Sequence, residues 1–430
     1  MVANRADVPV HVGMSLGPDR SQAVVVRHRT VLGSVSVPGS DPSELLSGIR
    51  PADRAQARSV TIDISRLLLA AVLQASGGLS PVAMIRVRPR AATDLALGRH
   101  PAEVIERLVT RRFTIPGGHD LFGRELGPLD RQALQAVCRE IERDGTRCIA
   151  VVAAGSQAQP RHEREVADRL QAVLPDARIS VAYDFGGLGL APREATVALN
   201  SALSDIAEDI LDACESAVRR WTPGMPLHVG RGDGGWVTAS RMRTLPVLGL
   251  GAADALELLG AAALTGVDDC RVLLDRPSGR VVGDVRHLLV AVRPYALHGL
   301  GTELVVPTAA LTGADGVQNA SDPMAWRSGD VPLVEADRDP DELICIGAAV
   351  SRPTAWLDEI AFIESTDELE GIRRDAQARA TAIVTANGAN PGTADIVEMS
   401  TVAMPYSPSG TVRVRVRVAG ALDIRSRPGS

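Results

Sequence analysis

Apolar residues first recur at every second position, at Val24 and Val26 and again at Val35 and Val37. That period predicts two or three strands across Val10–Val37, with a sharp turn in "SLGPDR". "SVTIDISRLLLAAVL" reads as a strand followed by a helix, and "VAMIRVRP" as a strand of the buried, parallel kind. "HPAEVIERLV" predicts a helix with proline near its first turn. "LDRQALQAVCREIERDG" predicts an amphipathic helix from Asp130 to a glycine stop at Gly145. "RCIAVVAAG" is a strand, "RHEREVADRLQAVLP" a helix and "RISVAYD" another strand. Strands alternating with helices imply a largely parallel sheet with right-handed crossovers.

The longest helix is expected over Arg193–Trp221, with Leu199, Leu203, Ile206, Ile210 and Ala217 on one stripe. "MPLHVGRGDGGWV" reads as a strand and a loop, and "DALELLGAAALTG" as a helix of small residues suited to close packing. "CRVLLDRPSGRVVG" repeats the strand–turn–strand form of the opening. Residues 311–341 read as loop, being rich in Gly, Asp and Pro. After "LICIGAAVSRPTAWLDEI" come a helix over 366–386 and the strand pair "ADIVEMSTV" and "TVRVRVRVAG". The strict Val/Arg alternation of the last predicts one buried face and one wet face, a solvated edge or outer face rather than a nucleic-acid ribbon, which the overall charge disfavours. The expected organisation is two lobes, 1–190 and 191–350, and a C-terminal α+β segment, 351–430.

Composition narrows the function. With 430 residues, 45% of them hydrophobic, the chain can bury sizeable cores in two or three domains. Aromatics are only 3% and net charge is -6, which argues against base stacking and general nucleic-acid binding. Five scattered cysteines without a CxxC pair suggest neither a disulfide framework nor a zinc knuckle. A cytoplasmic location is expected, since there is no signal peptide and no apolar run long enough for a membrane span.

Few motifs carry chemistry by themselves. "GLGAADALELLG" has one GxG and Asp254 at the third small position, so a helix start is the better reading than a dinucleotide turn. "RGD" at 231–233 reads as coincidence. "GGHDLFGRE" forms a polar turn, with His119 and Asp120 expected to satisfy turn backbone groups. The remaining histidines show no ligand spacing, no metal site is expected, and no G-x-S-x-G elbow is present.

Taken together, "VGMSLGPDRSQAVVV", "GGHDLFGRELGPLD", "GSQAQPRHEREVADRL…PREATVALNSAL", "VGRGDGGWV" and the tail "IGAAVSRPTAWLDEI…PYSPSGTVRVRVRVAG" resemble the ATP-utilising A-type subunit of the hydantoinase/oxoprolinase family. The resemblance implies a two-lobed fold of the actin/sugar-kinase/heat-shock-ATPase (ribonuclease H-like) type. It implies ATP with a divalent metal between the lobes, opening of cyclic amides such as hydantoins and 5-oxoproline, and in many members a B-type partner subunit.

Set against the family's loops, the first turn keeps Gly13 and Gly17 but has Ser15 for Asp, Pro18 for Gly, Asp19 for Thr and Gln22 for Asp. The second reads Asp275, Arg276, Pro277, Ser278, Gly279 in place of glycines and hydroxyls, and the third Gly-rich loop has become "LHGLGTELVVP". Pro18 has no N–H to offer a phosphate and Asp19 would repel one. Both turns therefore read as remnant loops. Three functions stay open. One is a non-catalytic binding, regulatory or assembly subunit, paired with a B-type subunit or with itself. Another is a cyclic-amide hydrolase in which His119, Asp120, Glu125 and Asp233 would matter. The third is a small-molecule kinase-like protein of the same fold class, which the altered loops weaken equally.

Overall fold

The computed structural model describes residues 9–74, 78–89, 100–297, 302–313, 331–404 and 408–421. The opening strand, Val10–Ser15, pairs antiparallel with Arg20–Arg27 and parallel with Ala57–Asp63. Thr30–Pro38 extends the sheet on one side. Leu227–Gly230 and Trp236–Thr238 extend it on the other, so strands from both sides of residue 190 complete it. The expected loop after Leu227–Gly230 thus returns as a strand. Alternation in Arg20–Arg27 suggests one wet face, but both are covered. Val25 joins the main core, while Val24 and Val26 pack against Ala263, Cys345 and Ile346.

Between Ala57–Asp63 and Leu227–Gly230 the chain builds a second, all-parallel sheet. Its order is Val109–Pro116, Val82–Arg88, Cys148–Ala153, Arg178–Val181. The helix Arg131–Asp144 on this unit starts and ends as its sequence predicts. The Asp130 carboxylate accepts from the Ala133 N–H, and Gly145 closes the helix in the left-handed conformation. The long helix runs Leu190–Trp221, its N-terminal half almost wholly buried.

A second hairpin, Cys270–Arg276 with Gly279–Arg286, founds a further sheet. The expected loop over 311–341 is partly structured. Leu311–Gly313 and Leu333–Glu335 are strands of this sheet, and a helix begins at Pro340. Residues 314–330 lie outside the described residues, as do 298–301 of the third Gly-rich loop. The C-terminal unit is a three-stranded sheet covered by the helix Thr366–Ala386. Here the edge-strand expectation fails. Thr411–Gly420 is the central strand, between Thr354–Phe362 and Ala394–Ala403. Nor is its arginine face simply wet, because Arg417 is buried.

The helices Ala252–Thr265 and Pro340–Val350 lie backbone to backbone between the opening sheet and the sheet of the second hairpin. A Cβ on Gly260 would fall 2.0 Å from the Leu343 carbonyl oxygen, and one on Gly347 1.9 Å from that of Leu256. The second helix presses equally close on the opening strand, since a Cβ on Gly13 would lie 1.7 Å from the Cys345 oxygen. Glycine normally weakens a helix by about 1 kcal/mol relative to alanine. Here the contact outweighs that preference. Gly347→Ala is expected to lower unfolding free energy by about 3 kcal/mol or more through overpacking. Gly371→Ala, in a helix with nothing within 4 Å, should instead raise it by up to about 1 kcal/mol. Urea denaturation of both variants checks the contrast.

Candidate functional site

The first turn uses its own donors. The Leu16 N–H bonds the Asp63 carbonyl at 2.9 Å, the Gly17 N–H bonds the Ser21 hydroxyl at 3.1 Å, and Pro18 has no N–H. The Ser15 hydroxyl donates to Asp63 Oδ2 at 3.2 Å. Arg66, from the helix Ser65–Leu73, donates to Ser15 Oγ at 3.0 Å and to Asp341 Oδ1 at 2.7 Å. Its guanidinium lies over the turn, so that a Cβ on Gly17 would meet Arg66 Cζ at 3.3 Å. Burial raises the Asp63 carboxyl above its ordinary value, against bonds from Ser65, the Arg66 charge and the Ser15 hydroxyl. Asp19 is exposed at the tip. Gln22 is buried on the second strand, where its carbonyl receives the Cys345 thiol.

The second hairpin turn is likewise internally paired. Arg276 donates to Glu257 at 2.6 Å and Asp254 at 2.9 Å, both on the helix Ala252–Thr265. Burial raises the Glu257 carboxyl, opposed by Arg276 and reinforced by the negative charges of Asp254 and Asp341. Asp341, which holds Arg66, therefore lies within electrostatic reach of the group that holds Arg276. Asp275 pairs on the surface with Arg280 at 3.1 Å, while Ser278 and Gly279 are exposed, Gly279 at φ +118°. Asp63, Arg66, Glu257 and Asp341 were missed in sequence. Only the cap pattern "DPDEL" and the strand end "TID" marked their places.

His119, Asp120 and Glu125 come together on the parallel-sheet unit. Asp120 organises the turn as expected, its Oδ1 accepting the Phe122 and Arg124 N–H groups at 2.9 Å. His119 does not cap the turn as expected. That role falls to His162, whose Nδ1 accepts the Gly118 N–H at 2.9 Å. Nε2 of His162 then carries the proton and faces Glu125 Oε1 at 3.4 Å. The His119 ring packs on His162 at a tilt of 44°, with centroids 4.3 Å apart, and its Nδ1 is buried without a partner. Glu125 is drawn below its ordinary pKa by its bond to Arg161. Gly117 and Gly118 have φ +150° and +104°, values a side chain resists.

Next to this turn, Glu163 is fully buried. It accepts from the Ala153 and Tyr183 N–H groups and the Ser156 hydroxyl, each at 2.7 Å, with Arg193 at 3.5 Å. Arg86 and Glu194 form a second buried pair. The residues of "PRHE" and "PRE" thus tie the parallel sheet to the long helix.

Asp233 belongs to a different assembly, joining the first sheet to the C-terminal unit. It accepts from the Thr354 hydroxyl at 2.8 Å and the Gly235 N–H at 3.2 Å, while Arg417 donates to its carbonyl. It is buried, and it is not shown beside His119. No cluster of three His, Cys, Asp or Glu suited to a metal ion occurs among the described residues, and none of their helices is long and apolar enough to cross a membrane.

Residues 67–174 match the family model of the hydantoinase/oxoprolinase N-terminal region. No curated protein matches the chain. Among solved structures, the ATP-dependent caprolactamase from Pseudomonas jessenii is similar over 97% of this chain and 88% of its own, with TM-score 0.72 and 12% identity. A nucleotide-free acetone carboxylase, described for ATP-dependent acetone carboxylation, is similar over 96% and 88%, with TM-score 0.65 and 11% identity. These likenesses show a shared mixed α/β fold of the actin-like ATPase type. The region 67–174 is therefore similar to the N-terminal region of the hydantoinase/oxoprolinase family.

Proposed function

We propose that this protein is a non-catalytic member of the family, a cytoplasmic binding, regulatory or assembly subunit whose partner is a B-type subunit or a second copy. The observation that carries this reading is Arg66. It lies over the first turn, held between Ser15 and Asp341, while Leu16 and Gly17 spend their N–H groups within the protein. Binding a metal–triphosphate needs free, converging backbone donors and unpaired carboxylates. At the first turn Pro18 removes a donor, and at the second Arg276 occupies Glu257 and Asp254. ATP and its metal do not fit the residues present, and no step is assigned to them. An exposed apolar cluster fits an assembly role. Phe122 and Phe362 meet edge to face at 5.2 Å, and Leu121 and Leu126 are exposed on the same turn as Phe122.

The alternative is a hydrolase that opens a cyclic amide of hydantoin, 5-oxoproline or lactam type, and one observation favours it. The buried, unpartnered Nδ1 of His119 sits beside His162 and Glu125. The Asp120 bonds and the His162–Gly118 bond fit a structural turn better.

Calorimetry with Mg-ATP is expected to give no saturable binding. A dissociation constant near 1 μM, about -8 kcal/mol, would overturn the non-catalytic reading. His119→Ala should lower stability by about 2 kcal/mol through lost packing, with no turnover of hydantoin, 5-oxoproline or caprolactam in either form. Turnover in the wild type that vanishes in a variant of unchanged melting temperature would favour the hydrolase.

Burial lowers the pKa of both His119 and His162 below the ordinary 6.5. Between the lowered values and 6.5 the unfolded chain binds more protons than the folded one. The pair's stability is therefore complete above that window and is lost as pH falls through it. Urea midpoints should drop between pH 7.5 and 5.5, and His162→Gln, which keeps an acceptor for Gly118, should show a smaller drop.

A further inference from the structure

The proposed function gives the arginine row of "TVRVRVRVAG" no role, and the structure turns it inward. Val412, Val414, Val416 and Val418 lie in the core beneath the helix Thr366–Ala386, so Arg413, Arg415 and Arg417 share the opposite face. Trp356 and Asp358 stand opposite Arg417 and Arg415 in register and share that face. It looks onto a hairpin, Val292–Leu297 with Thr302–Ala309, across a cavity of about 400 Å3. That is the size of a small-molecule site.

The arginines of this face are unequally used, and of them Arg413 and Arg415 line the cavity. Arg417 donates to the carbonyls of Val290 and Asp233, at 2.6 and 2.8 Å, and is a structural tie. Arg413 grips both oxygens of Asp358, the Nε bond being 2.7 Å. Arg415 is left over. The half-buried Arg415 makes only a long ion pair, its Nε 3.5 Å from Asp358 Oδ2, and that Nε has no hydrogen-bond partner. Arg293 reaches the cavity from the hairpin side, and the carboxylates lining it are Asp358, already paired, and Glu303. Trp356 supplies an apolar wall with Pro192 and Leu304.

We propose that this cavity binds a small organic carboxylate. Arg415 and Arg293 hold its anionic end, as guanidinium groups match a carboxylate through paired N–H donors. Its apolar body lies against Trp356. Neither phosphate turn lines this cavity, so the site stands or falls independently of nucleotide binding.

The test is titration calorimetry of the full chain with benzoate and hexanoate, and with the neutral isosteres benzamide and hexanamide. At least one of the two acids should bind saturably, and its amide about ten-fold or more weaker, since a charge-assisted hydrogen bond is at stake. Arg415→Gln should weaken the acid about ten-fold. Arg293→Gln, an exposed position safe for folding, should also weaken it, and Glu303→Gln should tighten it a few-fold. The proposal is overturned if neither acid binds, if acid and amide bind alike, or if Arg293→Gln and every folded Arg415 variant leave acid binding unchanged.

Discussion

Everything in this molecule hangs on a backbone contact without side chains. Gly13, Gly260 and Gly347 let the helix Pro340–Val350 touch the opening strand on one side and the helix Ala252–Thr265 on the other. A single Cβ at any of the three would overlap a carbonyl oxygen, so the approach has little slack. The contact places Asp341, at the start of one helix, against Arg66, and Asp254 and Glu257, on the other, against Arg276. The charges at the two hairpin turns are thus set by glycines that carry no charge.

Those charges answer one another. Arg66 is satisfied by Asp341 and Ser15 at the first turn, and Arg276 by Asp254 and Glu257 at the second. These pairs are partly exposed, so each adds modest net stability, while removing Arg276 would leave the buried Glu257 unpaired. Arg66 and Arg276 would therefore be hard to displace from their carboxylates by an incoming phosphate.

The second polar assembly is organised the same way. Glu163 gathers donors from a strand end, a turn and the start of a short helix, and Arg193 brings the long helix to it. The family-like motifs around His162 and Arg193 have a structural explanation in this protein whatever chemistry the fold supports elsewhere. His119 gains its burial from His162 rather than from any bond of its own Nδ1.

By itself the sequence determined the local elements. Period-two valines marked the strands, Asp130 and Gly145 bounded their helix, and 366–386 matched the observed Thr366–Ala386. Such features depend on neighbours a few residues away, so the chain carries them openly. It also placed Pro18 and Pro277 in the two turns. Tertiary structure alone decided which partner each exposed-looking group would find. Period two makes Arg413 and Arg417 equivalent, yet one grips Asp358 and the other ends buried on backbone carbonyls, because different elements pack over them. His162 sits 43 residues beyond His119 and no spacing rule joins them; the crossover of the parallel sheet does. Asp233, grouped with His119 by residue type, lies in a separate joint, since residue type fixes chemistry but only the path of the chain fixes proximity.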